Sequence, residues 1–325
     1  FRALPHALSL ILDQDKNEEG DISHFAALMT ALAATVGIGN IVGVATAITF
    51  GGPGAVFWMW VTGLVGMATK YSEAVLAVHY REKGPQGMRG GPMYYLSKGA
   101  GLPWLGTLFA IFTACAAFGI GNMTQSNATA NILAVTFEIP TSVTGIVLTL
   151  LTGLVVLGGI QSIGKFTSFI VPFMITAYVA CSLWVLAQHI NEIPQAFGLI
   201  FYHAFNPSAA SAGFIGASIA AAMRYGIARG VFSNESGLGS APIAAAAART
   251  NDPVKQALVS MTQTFIDTLV VCTMTALVIL TATSWTQGVG AGELTSASMA
   301  ETLGDTGQVV VAIAIAFFAF STLIG

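Results

Sequence analysis

Charge is what this sequence has least of. Only 8% of its 325 residues are Asp, Glu, Lys or Arg, whereas about a quarter are charged in soluble domains. A chain so poor in charge cannot clothe an ordinary water-facing surface. A soluble globular protein is excluded, and lipid is the expected solvent over much of the chain. Basic runs are missing as well, which excludes nucleic acid as a partner. Cysteine is sparse: Cys115, Cys181 and Cys272 are odd in number, lie in apolar stretches and follow no zinc spacing. They read as small core residues rather than as a disulfide framework or a metal site. No His-Glu-x-x-His run and no nucleophile paired with a base is visible, so an intramembrane hydrolase lacks its machinery. A channel would need a repeated filter or a ring of like charges, and neither is present. No enzyme activity and no cofactor are expected.

What the chain does have is apolar length and glycine: 54% hydrophobic residues, a mean hydropathy of +0.75 and 36 glycines. Spans need about 20 apolar residues. Eight candidate segments run over 25–50, 54–79, 103–136, 141–161, 164–187, 211–248, 253–284 and 307–325. Helix is the only reasonable assignment, because open strands cannot satisfy their backbone in lipid. The expected class is an all-α, multi-pass membrane protein whose partner is the bilayer. Phe1–Leu12 is apolar but too short to span and reads as an interfacial helix. No signal peptide is visible, and a start at Phe1 and a stop inside an apolar run read as an internal piece of a longer protein.

The basic residues orient the segments. With loops alternating between two sides, Arg2, Lys16, Arg81, Lys83, Arg89, Lys98, Lys165, Arg249 and Lys255 fall on one side. By the positive-inside rule that side is cytoplasmic, with the stretch before residue 25 on it and the plasma (inner) membrane as the location. Lys70, Arg224 and Arg229 remain inside segments. Intramembrane charges are rare and are paired or functional. Salt bridges are expected for the two arginines, and Lys70, Glu73 and His79 are expected to snorkel to the interface. Glu235 could hold unwound backbone in shape, and Asp267 is also intramembrane.

Two segments look interrupted. Gly37, Gly39 and Asn40 sit mid-way along the first, and glycine disfavours a continuous helix by about 1 kcal/mol relative to alanine. The pattern fits an unwinding point; equally, Gly39 and Gly43 form a small-xxx-small packing pair. The sixth carries Arg229-Gly-Val-Phe-Ser-Asn-Glu-Ser-Gly-Leu-Gly-Ser240 between apolar halves Gly213–Ile227 and Ala241–Ala248. Such a patch is expensive in lipid unless it lines a site, the alternative being a loop between re-entrant pieces. The two segments lie five apart, so they cross in opposite directions, the pattern of inverted repeats. A broken helix offers amide groups to a carboxylate and carbonyls to a cation. In the third segment Asn122, Gln125, Ser126 and Thr129 share one face, either toward a cavity or for interhelical hydrogen bonds.

The runs Thr35-Val-Gly-Ile-Gly-Asn40, Gly121-Asn-Met-Thr-Gln-Ser-Asn127 and Arg229 to Ala246 resemble the alanine or glycine:cation symporter family, the sodium:alanine symporters. The resemblance covers essentially the whole chain. It implies the leucine-transporter-like fold: inverted five-helix repeats with broken first and sixth core helices, truncated here at both ends, the leading helix and about two core helices being absent. Residues 25–187 would then form the first repeat and 188–325 an incomplete second repeat of a single transporter domain. It implies sodium-coupled symport of alanine and glycine by alternating access. A proton-coupled carrier of the same fold is the alternative. The implied sodium site comprises the carbonyls of Ala33, Val36 and Phe318 with the Ser321 and Thr322 hydroxyls; by themselves those hydroxyls could simply bond back to their own helix. The implied substrate contacts are Gly37, Gly39, Asn40, Gln125, Phe232 and Ser233. Thr35 and Asn234 are candidates for a second sodium or substrate contact.

Overall fold

The computed structural model describes residues 3–13, 18–85, 87–207 and 217–325. Arg2, Lys16 and positions 211–216 of the sixth apolar segment lie outside the described residues. Elsewhere the chain is helical except for connections and one antiparallel hairpin, β1 (Glu82–Gly84) with β2 (Gly87–Arg89), in which Glu82 stands opposite Arg89.

A short helix α1 (Leu4–Leu10) forms where an interfacial helix is expected. Then α2 (His24–Thr35) starts at Ser23, whose hydroxyl accepts the Ala26 amide as an N-cap. It ends at Val36, and after a single 3₁₀ turn (Ile38–Asn40) the chain resumes as α3 (Val42–Gly51), bent by 63° from α2. Helix α4 (Gly54–His79) follows, then α5 (Pro92–Lys98) after the hairpin. Helices α6 (Pro103–Ala116) and α7 (Thr124–Phe137) are joined through a π-helical stretch, Ala117–Met123, into one 35-residue helix. Next come α8 (Thr141–Val156), α9 (Gly159–Gln188) and α10 (Ile193–Phe205). The sixth segment supplies α11 (Ile219–Asn234) and α12 (Ala241–Ala246). The seventh is α13 (Pro253–Thr264), a π-helical stretch Phe265–Cys272 and α14 (Thr273–Thr281). The last two are α15 (Leu294–Leu303) and α16 (Asp305–Ile324).

The broad class stands: this is an all-α membrane protein. Among the described residues four helices are long and apolar enough to cross a bilayer, at 103–137, 159–188, 253–281 and 305–324, and the bent α2–α3 pair, taken as one span, makes a fifth. The expected eight shrink for physical reasons. Helix α4 has the length, at 26 residues, but not the apolarity; α8 has only 16 residues; α11 and α12 are each short halves. A second difference concerns the fourth segment. Its last residues belong to α9, because a turn at Leu157–Gly158 and Gly159 at φ +68° divide the apolar run. Lys165 accordingly sits inside α9 rather than in a loop.

The core joins α2, α3, α4, α9, α14 and α16, with Val36, Ile48, Met59, Tyr178, Ile279 and Phe318 among its buried residues. Tyr178 packs its ring on Phe318 and hydrogen-bonds Thr275 through its hydroxyl at 2.6 Å. The outside is equally apolar. Trp104, Phe112, Phe118 and Val135 on α6–α7, Leu150 and Leu154 on α8, and Phe169, Phe173 and Trp184 on α9 all stand exposed. Soluble monomers do not carry apolar surface on this scale; a helix belt facing acyl chains does.

One end of the bundle is polar and tied together. The loop before α2 pairs with the chain after α12: Asp21 and Ile22 donate their amides to the Ala247 carbonyl, and Arg249 donates its own to Ile22. The Arg81 guanidinium donates to the carbonyls of Ala246, Ala248, Glu19 and Thr250. Asp21 accepts the Met88 amide at 2.6 Å, Lys98 pairs with Glu82, and Lys255 pairs with Asp13. Arg81, Lys98, Arg249 and Lys255 are therefore engaged at this end.

Candidate functional site

The first break is a cluster of backbone and side-chain oxygens. α2 ends at Val36, leaving its last carbonyls without helical donors. The Thr322 hydroxyl donates to the Ala33 carbonyl at 3.0 Å, and the Ser321 hydroxyl lies 3.4 Å from the Ala33 carbonyl and 3.5 Å from that of Val36. Both hydroxyls also donate to the Phe318 carbonyl of their own helix, at 2.8 and 3.0 Å. So the two readings of Ser321 and Thr322 coincide: they bond back to α16 and they reach across to α2. These hydrogen bonds link all five residues named for the sodium position, at the negative end of the α2 dipole.

A step further along the chain, the unwound backbone is held by side chains. The Gly37 amide donates to Asn40 Oδ1 at 2.9 Å, and the Ile38 amide donates to Gln125 Oε1 at 3.3 Å. Both glycines matter for close approach. A Cβ on Gly37 would fall 2.5 Å from Thr322 Oγ1, and one on Gly39 would fall 3.2 Å from the Ser233 Cα and 3.3 Å from the Phe232 ring. Gly43 needs no such space, its nearest neighbour being the Ile38 carbonyl at 4.0 Å. The small-xxx-small reading therefore holds for Gly39 and fails for Gly43, which faces no partner helix closely. Of the polar face on the third segment, Gln125 and Thr129 are buried, while Asn122 and Ser126 line a cavity.

The second break is shorter than the sequence suggests. α11 continues through Phe232, Ser233 and Asn234, so the non-helical stretch is Glu235–Ser240, not the whole run from Arg229. It turns through three left-handed residues, Glu235 (φ 54°), Gly237 (φ 89°) and Gly239 (φ 81°). The Asn234 side chain bridges it, accepting the Ser236 amide and donating to Thr268 Oγ1 at 3.2 Å. The second candidate of that pair, Thr35, lies elsewhere: its hydroxyl bonds back to Ala31 and accepts from Gln263 Nε2 at 3.1 Å.

The seventh segment supplies what the sequence reading left unassigned. Asp267 is fully buried in its π-helical stretch. Its carboxylate accepts from Asn40 Nδ2 at 2.7 Å, Ser233 Oγ at 2.9 Å and Thr268 Oγ1 at 2.7 Å. Asp267 thus joins the two broken helices, and every donor to it is neutral. The signal was visible as an acid within an apolar run, but sequence does not say which neutral groups would converge on it. Gln263, beside it, ties α13 to α2 through the Ala31 carbonyl, and its Oε1 has no hydrogen-bond partner.

Other intramembrane charges depart from expectation. Lys70 is wholly buried and donates to the Glu235 carbonyl at 3.1 Å, so it does not snorkel. Arg224 and Arg229 lie over the rings of Tyr225 and Phe232 at 5.9 and 5.8 Å, and neither forms a salt bridge among the described residues. Beside the breaks lies a cavity of about 840 Å³, walled by α6–α8, by Glu235, Leu238 and Ser240, and by Thr322 near the end of α16. Of the residues named for the site, it touches Thr322 alone; the others lie in the packed interior next to it.

Comparison with known proteins points to one family. The family model described as the sodium:alanine symporter family matches residues 1–325. A sodium/alanine symporter, AgcS, of Methanococcus maripaludis is 56% identical over 338 residues, covering 100% of this chain and 73% of the relative. An uncharacterized transporter of Haemophilus influenzae is 52% identical, over 100% of this chain and 72% of its own length. A probable sodium/glutamine symporter, GlnT, of Bacillus subtilis is 39% identical over 94% of this chain and 64% of its own.

Proposed function

The chain belongs to the sodium:alanine symporter family, and on that premise we propose that it forms most of a sodium-coupled importer of small neutral amino acids, alanine and glycine, working by alternating access. The observation that carries the reading is the convergence of the Ala33, Val36 and Phe318 carbonyls with the Ser321 and Thr322 hydroxyls at the end of α2. Hard oxygen donors suit a hard cation. With both hydroxyls rotated so that their lone pairs face the carbonyls, these groups would offer five oxygen ligands, and a sodium ion would replace the hydrogen bonds that now link them.

The substrate would lie along the first break. Its carboxylate fits amides of the Gly37–Asn40 turn, with Gln125 and Asn40 as the neighbouring polar side chains, and Phe232 and Ser233 opposite Gly39. Asp267 supplies the formal negative charge that a cationic group, the substrate ammonium or a second sodium, would balance. Close packing around Gly37 and Gly39 favours a methyl side chain over a bulky one; each surplus methylene changes affinity by about 1–3 kcal/mol. We read the fold as inverted repeats, 25–187 and 188–325, with the basic end cytoplasmic.

The test uses the full-length protein in liposomes. Uptake of labelled alanine and glycine is measured with an inward Na⁺ gradient and again with K⁺ alone. Uptake that collapses without Na⁺ is expected. Equal uptake in both removes sodium coupling, and uptake driven by an inward proton gradient in K⁺ favours the proton-coupled alternative.

A further inference from the structure

Lys70 is a lysine with no exposed surface to speak of, in the middle of a 26-residue helix. Nothing in the transport reading uses it. Its neighbours on α4 form a stripe: Gly66, Lys70 and Glu73 stand at i, i+4 and i+7, one helix face. That face meets the non-helical stretch Glu235–Ser240 along its length. Gly66 admits Ser236, whose Oγ would lie 2.5 Å from a Cβ there. The Lys70 ammonium donates to the Glu235 carbonyl. The Glu73 carboxylate faces the amides of Gly237 and Gly239.

We propose that Lys70 is a positioning residue: through its ammonium on the Glu235 carbonyl, with Gly66 and Glu73 beside it, α4 forms a cradle that fixes the shape of the second break. Three observations converge. First, the Glu235 carbonyl ends α11, where helical donors run out and a cation is favoured by the dipole. Second, Glu235 holds φ +54° without being glycine, a strained conformation that persists only where surroundings over-determine it. Lys70 grips its carbonyl, and the Ser240 hydroxyl grips its carboxylate. Third, cation and anion are placed in the order the backbone demands, Lys70 at the carbonyl end of the break and Glu73 at the amide end that leads into α12. Close glycine contacts extend the grip along α11: a Cβ on Gly230 would meet Thr62 at 2.1 Å, and one on Gly226 would meet the Ala55 carbonyl at 2.3 Å.

The consequence for the site is direct. Glu235, Leu238 and Ser240 wall the cavity, and Ser233 and Asn234, just before the break, bond to Asp267 and Thr268. Holding the break therefore holds one wall of that cavity and the end of α11 that carries Ser233 and Asn234. This role rests on the transport reading for its functional readout.

The test compares full-length wild type, Lys70→Arg, Lys70→Met and the charge-balanced double variant Lys70→Met/Glu73→Gln in liposomes. KM and maximal rate for alanine are measured on monodisperse protein. KM is expected to rise about tenfold in Lys70→Met and to stay near wild type in Lys70→Arg. The double variant separates positioning from charge balance and keeps the test alive if Lys70→Met does not fold: a KM still raised supports the cradle, and a KM restored to wild type overturns it. Unchanged KM and rate in Lys70→Met overturn it as well. Amide exchange supplies a readout independent of transport. Faster exchange over 235–240 in Lys70→Met or the double variant, with α13 unaffected, supports the cradle even if wild-type vesicles take up no amino acid, the result that would sink the transport reading alone.

Discussion

At the Val36–Ile41 break the carboxylate within hydrogen-bond reach is Asp267, and its donors Asn40, Ser233 and Thr268 are all neutral. At the Glu235–Ser240 break two carboxylates, Glu73 and Glu235, have a buried ammonium, Lys70, among them. Both breaks interrupt a helical run in the packed interior, where a charge is costly unless matched. They have solved that problem differently. The second carries a cation of its own, Lys70, on the Glu235 carbonyl. The first is rich in oxygen, and its acid is met by neutral donors. On the transport reading, a break gripped by its own cation is scaffold, and a break whose acid has only neutral donors is a place for cargo.

The sharpest way to break this contrast is to neutralise one acid at each break. Asp267→Asn removes the charge that cargo would balance and should lower alanine uptake at limiting Na⁺ by about 100-fold, since hydrogen bonds to charged groups are worth roughly 1.5–3 kcal/mol and the charge itself is lost too. Glu235→Gln leaves Lys70 facing Glu73 and should cost about threefold or less. Equal losses in the two variants, measured as initial rates on matched amounts of folded protein, would erase the distinction.

The next effect is steric and belongs to the first break alone. Gly37→Ala pushes a methyl into Thr322 and Gln125; overpacking costs about 1–3 kcal/mol, so alanine affinity should fall at least tenfold. Gly43→Ala, in α3 with open space around it, should leave affinity unchanged and raise thermal stability slightly, as alanine is the better helix former. The pair is scored by alanine-dependent stabilisation in a melting assay. A smaller effect follows at the oxygen cluster. Thr322→Ala removes one hydroxyl, and the Na⁺ concentration for half-maximal uptake should rise about tenfold, near 1.4 kcal/mol for a lost ligand, while Thr322→Ser stays close to wild type.

How much of this was legible beforehand differs between the breaks for the same reason they differ in charge. Gly37, Gly39 and Asn40 advertise unwinding in four residues, and the chain does unwind there. The second break was legible as a polar, glycine-rich run, but its true start at Glu235 depends on a helix cap made by Lys70, 165 residues earlier. A contact at that separation leaves no local pattern. The same holds for Asp267: its presence in an apolar run was plain, its convergence with Asn40 and Ser233 was not. The eight-segment count erred where burial in protein, not lipid, sets the composition, as on α4, whose buried face carries Lys70 and Glu73. Hydropathy measures the solvent a helix faces only when it faces one solvent.

The smallest expected effect lies outside both breaks and calibrates them. Glu301 on α15 accepts from the amides of Thr283 at 2.8 Å and Ser284 at 2.7 Å and from both hydroxyls. Burial pushes this carboxyl up, but the Ser284 hydroxyl, the two amides and the Thr283 hydroxyl outweigh it and hold it below the usual glutamate range. A carboxyl depressed in the folded state binds its proton more readily when the loop opens. Its contribution is therefore complete above the ordinary value near about 4.3 and is lost as pH falls through the depressed one. Protection of the Thr283 and Ser284 amides against exchange should weaken over that acid window. Glu301→Gln should abolish the pH dependence, at a cost of about 1 kcal/mol or less for a partly exposed group. Alanine KM at neutral pH should not move, because this acid already has its partners in place. A KM shift as large as that of Gly37→Ala would mean that the site extends well beyond the first break.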